Sequence, residues 1–141
     1  MPSSTTSIPD RFRPVVALIP ARGGSKRIQR KALVKVGRTS LLERTVAQAL
    51  RVGGIDWVVV STEDARIRRA ARAAGAEVLD RPRRLATDAA SSLSVLQHAI
   101  RALALPPRAT VVLLQVTSPL RADADIAAAL NRFRRRDADA V

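Results

Sequence analysis

Val15-Val16-Ala17-Leu18-Ile19-Pro20-Ala21-Arg22-Gly23-Gly24-Ser25-Lys26-Arg27-Ile28-Gln29-Arg30-Lys31 decides how this chain is read. Val15 to Pro20 is a continuous apolar run, as a strand buried on both faces requires. It passes straight into two adjacent glycines and five cations: Arg22, Lys26, Arg27, Arg30 and Lys31. Without a Cβ the glycine backbone can approach a ligand closely, and successive N–H groups can form a concavity for an anion. A strand that feeds such a loop is suited to a polyphosphate. No Gly-Lys-Ser/Thr closes the loop and no Gly-x-Gly-x-x-Gly is present, so it is neither a Walker A element nor a dinucleotide fingerprint.

Outward from this stretch, strand-like and helical patterns alternate. Ser40-Leu41-Leu42-Glu43 is a capping box opening a helix whose apolar face carries Leu42, Val46, Ala49 and Leu50 and which stops near Gly53-Gly54. Trp57 to Ser61 is a second strand, Glu63 to Ala74 a helix with Gly75 suited to the left-handed position after it, and Ala76 to Leu79 a short strand. Ser91 or Ser92 caps a helix through Val95, Leu96, Ala99, Ile100 and Leu103, ended by Pro106-Pro107. Val111 to Gln115 is the next strand and Asp123 to Arg135 the next helix. This order predicts right-handed crossovers and a mainly parallel sheet covered by helices. Residues 1–13, rich in Ser, Thr and Pro, read as a flexible tail, and residues 14–141 as one domain. Asp137 to Val141 reads as the start of a further strand, so the sheet looks truncated there.

Composition narrows the partners. Hydrophobic residues make up 47% and charged residues 26%, which is globular, but aromatics are only 2%, so aliphatic side chains must fill the core. The chain has no cysteine, hence no disulfide, thiolate metal site or thiol nucleophile. No apolar run approaches the roughly 18 residues of a membrane span, and Met1 to Arg13 lacks the apolar centre of a signal peptide, so the cytoplasm is the expected compartment. The net charge of +13 raises the possibility of nucleic acid as partner. The arginines are spread over several helices, however, and Phe12, Trp57 and Phe133 are the only aromatics available to stack bases.

Four segments together resemble one family. Ile19-Pro20-Ala21-Arg22-Gly23-Gly24-Ser25-Lys26 with the later Lys31, Val58-Val59-Val60-Ser61-Thr62-Glu63-Asp64, Arg81 to Ser92, and Leu113-Leu114-Gln115-Val116-Thr117-Ser118-Pro119-Leu120-Arg121 occur in the order seen in acylneuraminate cytidylyltransferases. These enzymes activate sialic and related nonulosonic acids as CMP-sugars. The resemblance runs over residues 15–141. It implies an α/β, Rossmann-like nucleotidyltransferase fold of the GT-A-like kind, a three-layer sandwich, and transfer of CMP from CTP to a nine-carbon sugar acid with release of pyrophosphate. It also implies Mg²⁺ as cofactor and a homodimeric full-length protein, with the acidic metal ligands expected beyond Val141.

By the same resemblance, Arg22, Lys26 and Lys31 would act on the triphosphate, and Ala21, Arg22, Gly23, Gly24, Ser25, Lys26, Arg81 and Ser92 would contact the nucleotide. Gln115 and Thr117 fall on the acceptor-sugar side. Asp88 and Arg121 read as loop braces, His98 as structural, and Glu63 and Asp64 as acids favoured at a helix start. The chain departs from the family pattern at Ala32, where an asparagine is usual and a nucleotide-directed amide is expected, at Arg27-Ile28-Gln29, and at Val116. An inactive nucleotide-binding remnant, or a relative using another sugar acid such as 3-deoxy-manno-octulosonate, fits the same residues.

Overall fold

The computed structural model describes residues 13–24, 29–87, 90–118 and 121–136, with Arg135 and Arg136 described by their backbone alone. The N-terminal tail up to residue 12 and the expected strand start at residues 137–141 lie outside the described residues.

A four-stranded, wholly parallel sheet is formed by β1 (Val15–Pro20), β4 (Trp57–Thr62), β5 (Glu77–Asp80) and β6 (Thr110–Leu113) in the order β5-β4-β1-β6. A two-stranded antiparallel hairpin of β2 (Lys35–Val36) and β3 (Thr39–Ser40), which the sequence reading did not include, precedes the first helix. The helices are α1 (Leu41–Arg51), α2 (Ala65–Ala73), α3 (Ser92–Ala102) and α4 (Asp123–Arg136).

β1 is the central strand because every residue from Val15 to Ile19 is apolar, and each is at most 4% exposed. Its Leu18 lies opposite Val59 on one side and Leu113 on the other. Side chains alternate across the sheet. Val15, Ala17, Ile19, Val58 and Val60 join Leu42 and Val46 of α1, Ile67 of α2, and Ile126 and Leu130 of α4. Val16, Leu18 and Val59 face Ala99 and Leu103 at the C-terminal half of α3. Helices on both faces make three layers, as expected. The chain steps outward from β1 to β4 and β5, then returns to β6 on the other side of β1. The sheet therefore has its topological switch point beside β1, where α/β folds place their ligands.

Local signals explain most boundaries. Ser40 accepts from the Glu43 N–H at 3.0 Å and caps α1. After α2, Ala76 N–H reaches Ala71 O and Gly75 N–H reaches Arg72 O, with Gly75 at φ 100°, which is the Schellman ending anticipated from the glycine. Three expectations are corrected. α2 starts at Ala65 and not Glu63, because Asp64 is its cap. α3 ends at Ala102, where Ala104 turns left-handed at φ 50°, two residues before the prolines given that role. Leu50, assigned to the core face of α1, is 53% exposed, since the helix turns it away from the sheet towards Gly75. β6 ends the sheet. On its far side α3 and α4 leave a groove of about 550 Å³ lined by Leu96, Val111, Leu113, Leu130 and Phe133 among others.

Candidate functional site

All four parallel strands send their C-terminal ends to one edge of the sheet, and every segment singled out in the sequence leaves from that edge. Ala21 to Gly24 follows β1, Glu63 and Asp64 follow β4, Arg81 follows β5, and Gln115 to Arg121 follows β6.

The loop after β1 is held at both ends. Gly23 N–H donates to both carboxylate oxygens of Glu63, at 2.7 and 3.2 Å, and Gly23 O accepts from Arg30 N–H at 2.7 Å. Asp64 divides its two oxygens: Oδ1 accepts from the Arg66 and Ile67 N–H groups and caps α2, while Oδ2 binds Arg30 Nε at 3.0 Å. A Cβ on Gly23 would lie 2.5 to 2.9 Å from Asp64 side-chain atoms, whereas one on Gly24 would meet nothing within 4 Å. The two glycines thus have different reasons. Gly23 makes room for Asp64, whereas Gly24 borders open space. The Gly23 N–H that the sequence reading offered to an anion is occupied by Glu63. Arg30, counted there among the cations around a phosphate, is paired with Asp64.

Arg81 is 6% exposed and closes the next strand end. Its Nε donates to Ser61 Oγ at 3.1 Å, and its terminal nitrogens donate to Ser61 O and Leu85 O. Burial lowers its pKa, against the attraction of Glu63 and with the repulsion of Arg22. Ser61 O also accepts from Ala21 N–H at 2.9 Å, so Arg81 and the start of the first loop meet at one carbonyl. His98 on α3 has a buried Nδ1 with no hydrogen-bond partner, and burial, followed by the positive field of Arg84, Arg81 and Arg101, lowers its pKa. A half-buried imidazole whose charged form is disfavoured agrees with the structural reading.

The loop after β6 is braced differently. Arg121 Nε donates to Gln48 Oε1 of α1 at 3.0 Å and its NH2 to Gln115 O at 3.2 Å, while Gln48 Nε2 donates to Arg121 O. Burial lowers the Arg121 pKa. The bracing uses only the main-chain oxygen of Gln115; Thr117 is exposed.

The expected site residues are therefore distributed as follows. Ala21, Arg22, Gly23, Gly24, Arg81, Gln115 and Thr117 stand along one sheet edge. Lys31 opens a short 3-10 turn, Lys31–Leu33, and is exposed. Ser92 is the exposed first residue of α3, and its neighbour Ser91 does the capping, accepting from Ser94 N–H at 3.1 Å. Ser25, Lys26 and Asp88 lie outside the described residues. Ala32 is 2% exposed within the larger core. An asparagine there would set an amide against that apolar packing. Glu63 is the residue the sequence reading undervalued, because its partner stands 40 positions away.

A family model described as Cytidylyltransferase matches residues 16–141. The chain belongs to the cytidylyltransferase family. It is 34% identical over 120 residues to the N-acylneuraminate cytidylyltransferase of Escherichia coli O18:K1:H7, covering 85% of this chain and 28% of that protein. It is 39% identical to the 3-deoxy-manno-octulosonate cytidylyltransferase of Anaeromyxobacter dehalogenans strain 2CP-C, covering 77% of this chain and 43% of that protein. A solved CMP:2-keto-3-deoxy-manno-octonic acid synthetase complexed with CTP superposes with a TM-score of 0.75 at 25% identity, over 89% of this chain and 49% of that one. The chain thus spans less than half the length of each of these three relatives.

Proposed function

We propose that this chain forms the nucleotide-binding part of an enzyme that transfers CMP from CTP to an acidic sugar of the nonulosonic, sialic-type class. The sugar hydroxyl attacks the α-phosphorus; a new P–O bond forms there, the bond to the β-phosphate oxygen breaks, and pyrophosphate leaves with its charge. The observation that carries the reading is that Ala21 to Gly24, Glu63 and Asp64, Arg81, and Gln115 and Thr117 leave β1, β4, β5 and β6 at one sheet edge beside the switch point. Family membership supports CTP and a sugar acid as the substrate classes. In this reading Arg22, Lys26 and Lys31 neutralise phosphate charge, Gly24 lets the backbone come close, Arg81 and Ser92 stand on the base side, and Gln115 and Thr117 meet the polyhydroxylated acid. The relatives act on sialic, 3-deoxy-manno-octulosonic and pseudaminic acids, by their names. The 120-residue match to the first supports the sialic type.

Mg²⁺ belongs to the reading by family, but the described residues do not fit it. None of them form a group of three or more acidic or imidazole side chains placed for a metal, and Glu63 and Asp64 are committed to Gly23, Arg30 and the cap of α2. Calorimetric titration of CTP into wild type and Arg22→Ala tests the nucleotide site: weaker binding by the variant is expected, and equal affinity rules the β1 loop out.

A further inference from the structure

Resting on that nucleotide reading, we infer that Glu63 and Asp64 are positioning residues that set the base of the β1 loop before any nucleotide arrives. The two carboxylates leave the end of β4 side by side and grip the two ends of one loop. Glu63 takes the Gly23 N–H, Asp64 takes the Arg30 guanidinium, and Gly23 O and Arg30 N–H close the ring between them at 2.7 Å.

Three observations separate this role from ordinary helix-start acids. Glu63 lies outside α2, and its carboxylate is turned across the sheet edge to a residue 40 positions earlier. Asp64 needs only Oδ1 to cap α2, yet Oδ2 reaches Arg30 at 3.0 Å. Arg30 is held at φ 50° and ψ 49°, a left-handed conformation that a non-glycine residue adopts at a cost, and the ion pair and the backbone bond to Gly23 are what oppose its release. The missing Cβ of Gly23 completes the fit, since the Asp64 side chain fills that place.

Such a clasp has a purpose in a loop that meets a polyanion. A loop whose ends are already joined does not pay closure and ordering entropy again when the ligand binds. Using two acids to hold a cation-rich loop also keeps their charges on backbone and guanidinium groups, where each is matched by donors. The opposite reading makes Glu63 an internal rival for the phosphate seat, and it predicts the opposite sign for CTP affinity.

The test uses wild type, Glu63→Gln and Glu63→Ala. Amide exchange at Gly23, followed by NMR without nucleotide, should be protected in wild type, about tenfold or more faster in the alanine variant, and intermediate in the glutamine variant, which keeps one acceptor oxygen. CTP affinity should fall in the same order. Unchanged Gly23 exchange in Glu63→Ala overturns the clasp. Faster exchange with equal or tighter CTP binding in either variant overturns the positioning role in favour of competition. Should wild type fail to bind CTP, the functional reading falls, while Gly23 exchange still decides whether the clasp exists. Asp64→Asn, which keeps the cap acceptor and loses the ion pair, should speed exchange at Arg30 without unfolding α2; protection equal to wild type there counts against Asp64.

Discussion

The loop after β1 and the loop after β6 leave adjacent strands at the same sheet edge, yet they are held by opposite chemistry. Acids grip the first, through a backbone N–H and a guanidinium. An arginine and a neutral amide grip the second, and they do so through main-chain oxygens of Gln115 and Arg121. Under the proposed function, the difference follows the charge each loop would handle. A cation-rich loop is stabilised by anions at its base, where they relieve repulsion. A loop facing hydroxyl groups is best fixed through its backbone, which leaves side chains such as Gln115 and Thr117 outside the bracing.

The largest test of that contrast contrasts two neighbours within the first loop. Gly23→Ala drives a Cβ into Asp64 at 2.5 to 2.9 Å, so it should destabilise the fold by about 1 to 3 kcal/mol, as overpacking does, and loosen Arg30 as well. Gly24→Ala meets open space and should leave stability within about 0.5 kcal/mol while weakening CTP binding. Urea unfolding midpoints and a CTP titration read both; equal midpoints would dissolve the distinction between the two glycines.

On the other loop, Gln48→Ala leaves the partly buried Arg121 Nε without its acceptor and should cost about 1 to 3 kcal/mol of stability, the range for a stranded polar group. Gly23 exchange should stay as in wild type, because Glu63 and Arg30 hold the first base while Gln48, Gln115 and Arg121 hold the second. Faster Gly23 exchange in this variant would mean that the loops are coupled.

Lowering pH should act through His98. His98 is the chain's single histidine and sits in the field of Arg81 and Arg84. Its folded-state pKa lies below the ordinary value near 6.5, so the unfolded chain binds more protons as pH falls through that value, and stability is lost between there and the folded pKa. Unfolding midpoints measured from about pH 7.5 to 5.5 should decline, and His98→Leu should flatten the decline. An unchanged slope would place the titrating group elsewhere.

The smallest effect is expected at the Arg51–Asp123 pair, which joins α1 to α4 behind the second loop at 2.8 and 3.0 Å. Both groups are exposed and open to solvent screening, even though their mutual bond raises the arginine pKa and lowers that of the aspartate. Arg51→Ala should scarcely move the unfolding midpoint, and salt should abolish any difference. A marked loss would show that the brace of the second loop extends to this pair.

Much of this was legible in the sequence because it is local. An all-apolar Val15–Ile19 run can only be central, Ser40 and Glu43 mark a helix start by their spacing, and Gly75 marks a helix end by its backbone freedom. The alternation of patterns then leaves few topologies besides a parallel sheet. Glu63 and Arg30 could not be read this way, since their partners lie 40 and 34 residues away and exposure and pairing depend on which strands become neighbours. Ala32 shows the same limit from the other side. Its place in the motif suggested a lost ligand contact, and only packing reveals that the position faces the core. Sequence by itself determined the four strands of the parallel sheet, their order along the chain and the family, because hydrophobic period and short motifs are carried by neighbouring residues. Which acid holds which loop, and why Gly23 and Gly24 are not equivalent, was decided by tertiary structure, because hydrogen bonds and steric clashes exist only between atoms that the folded sheet has brought within a few ångströms.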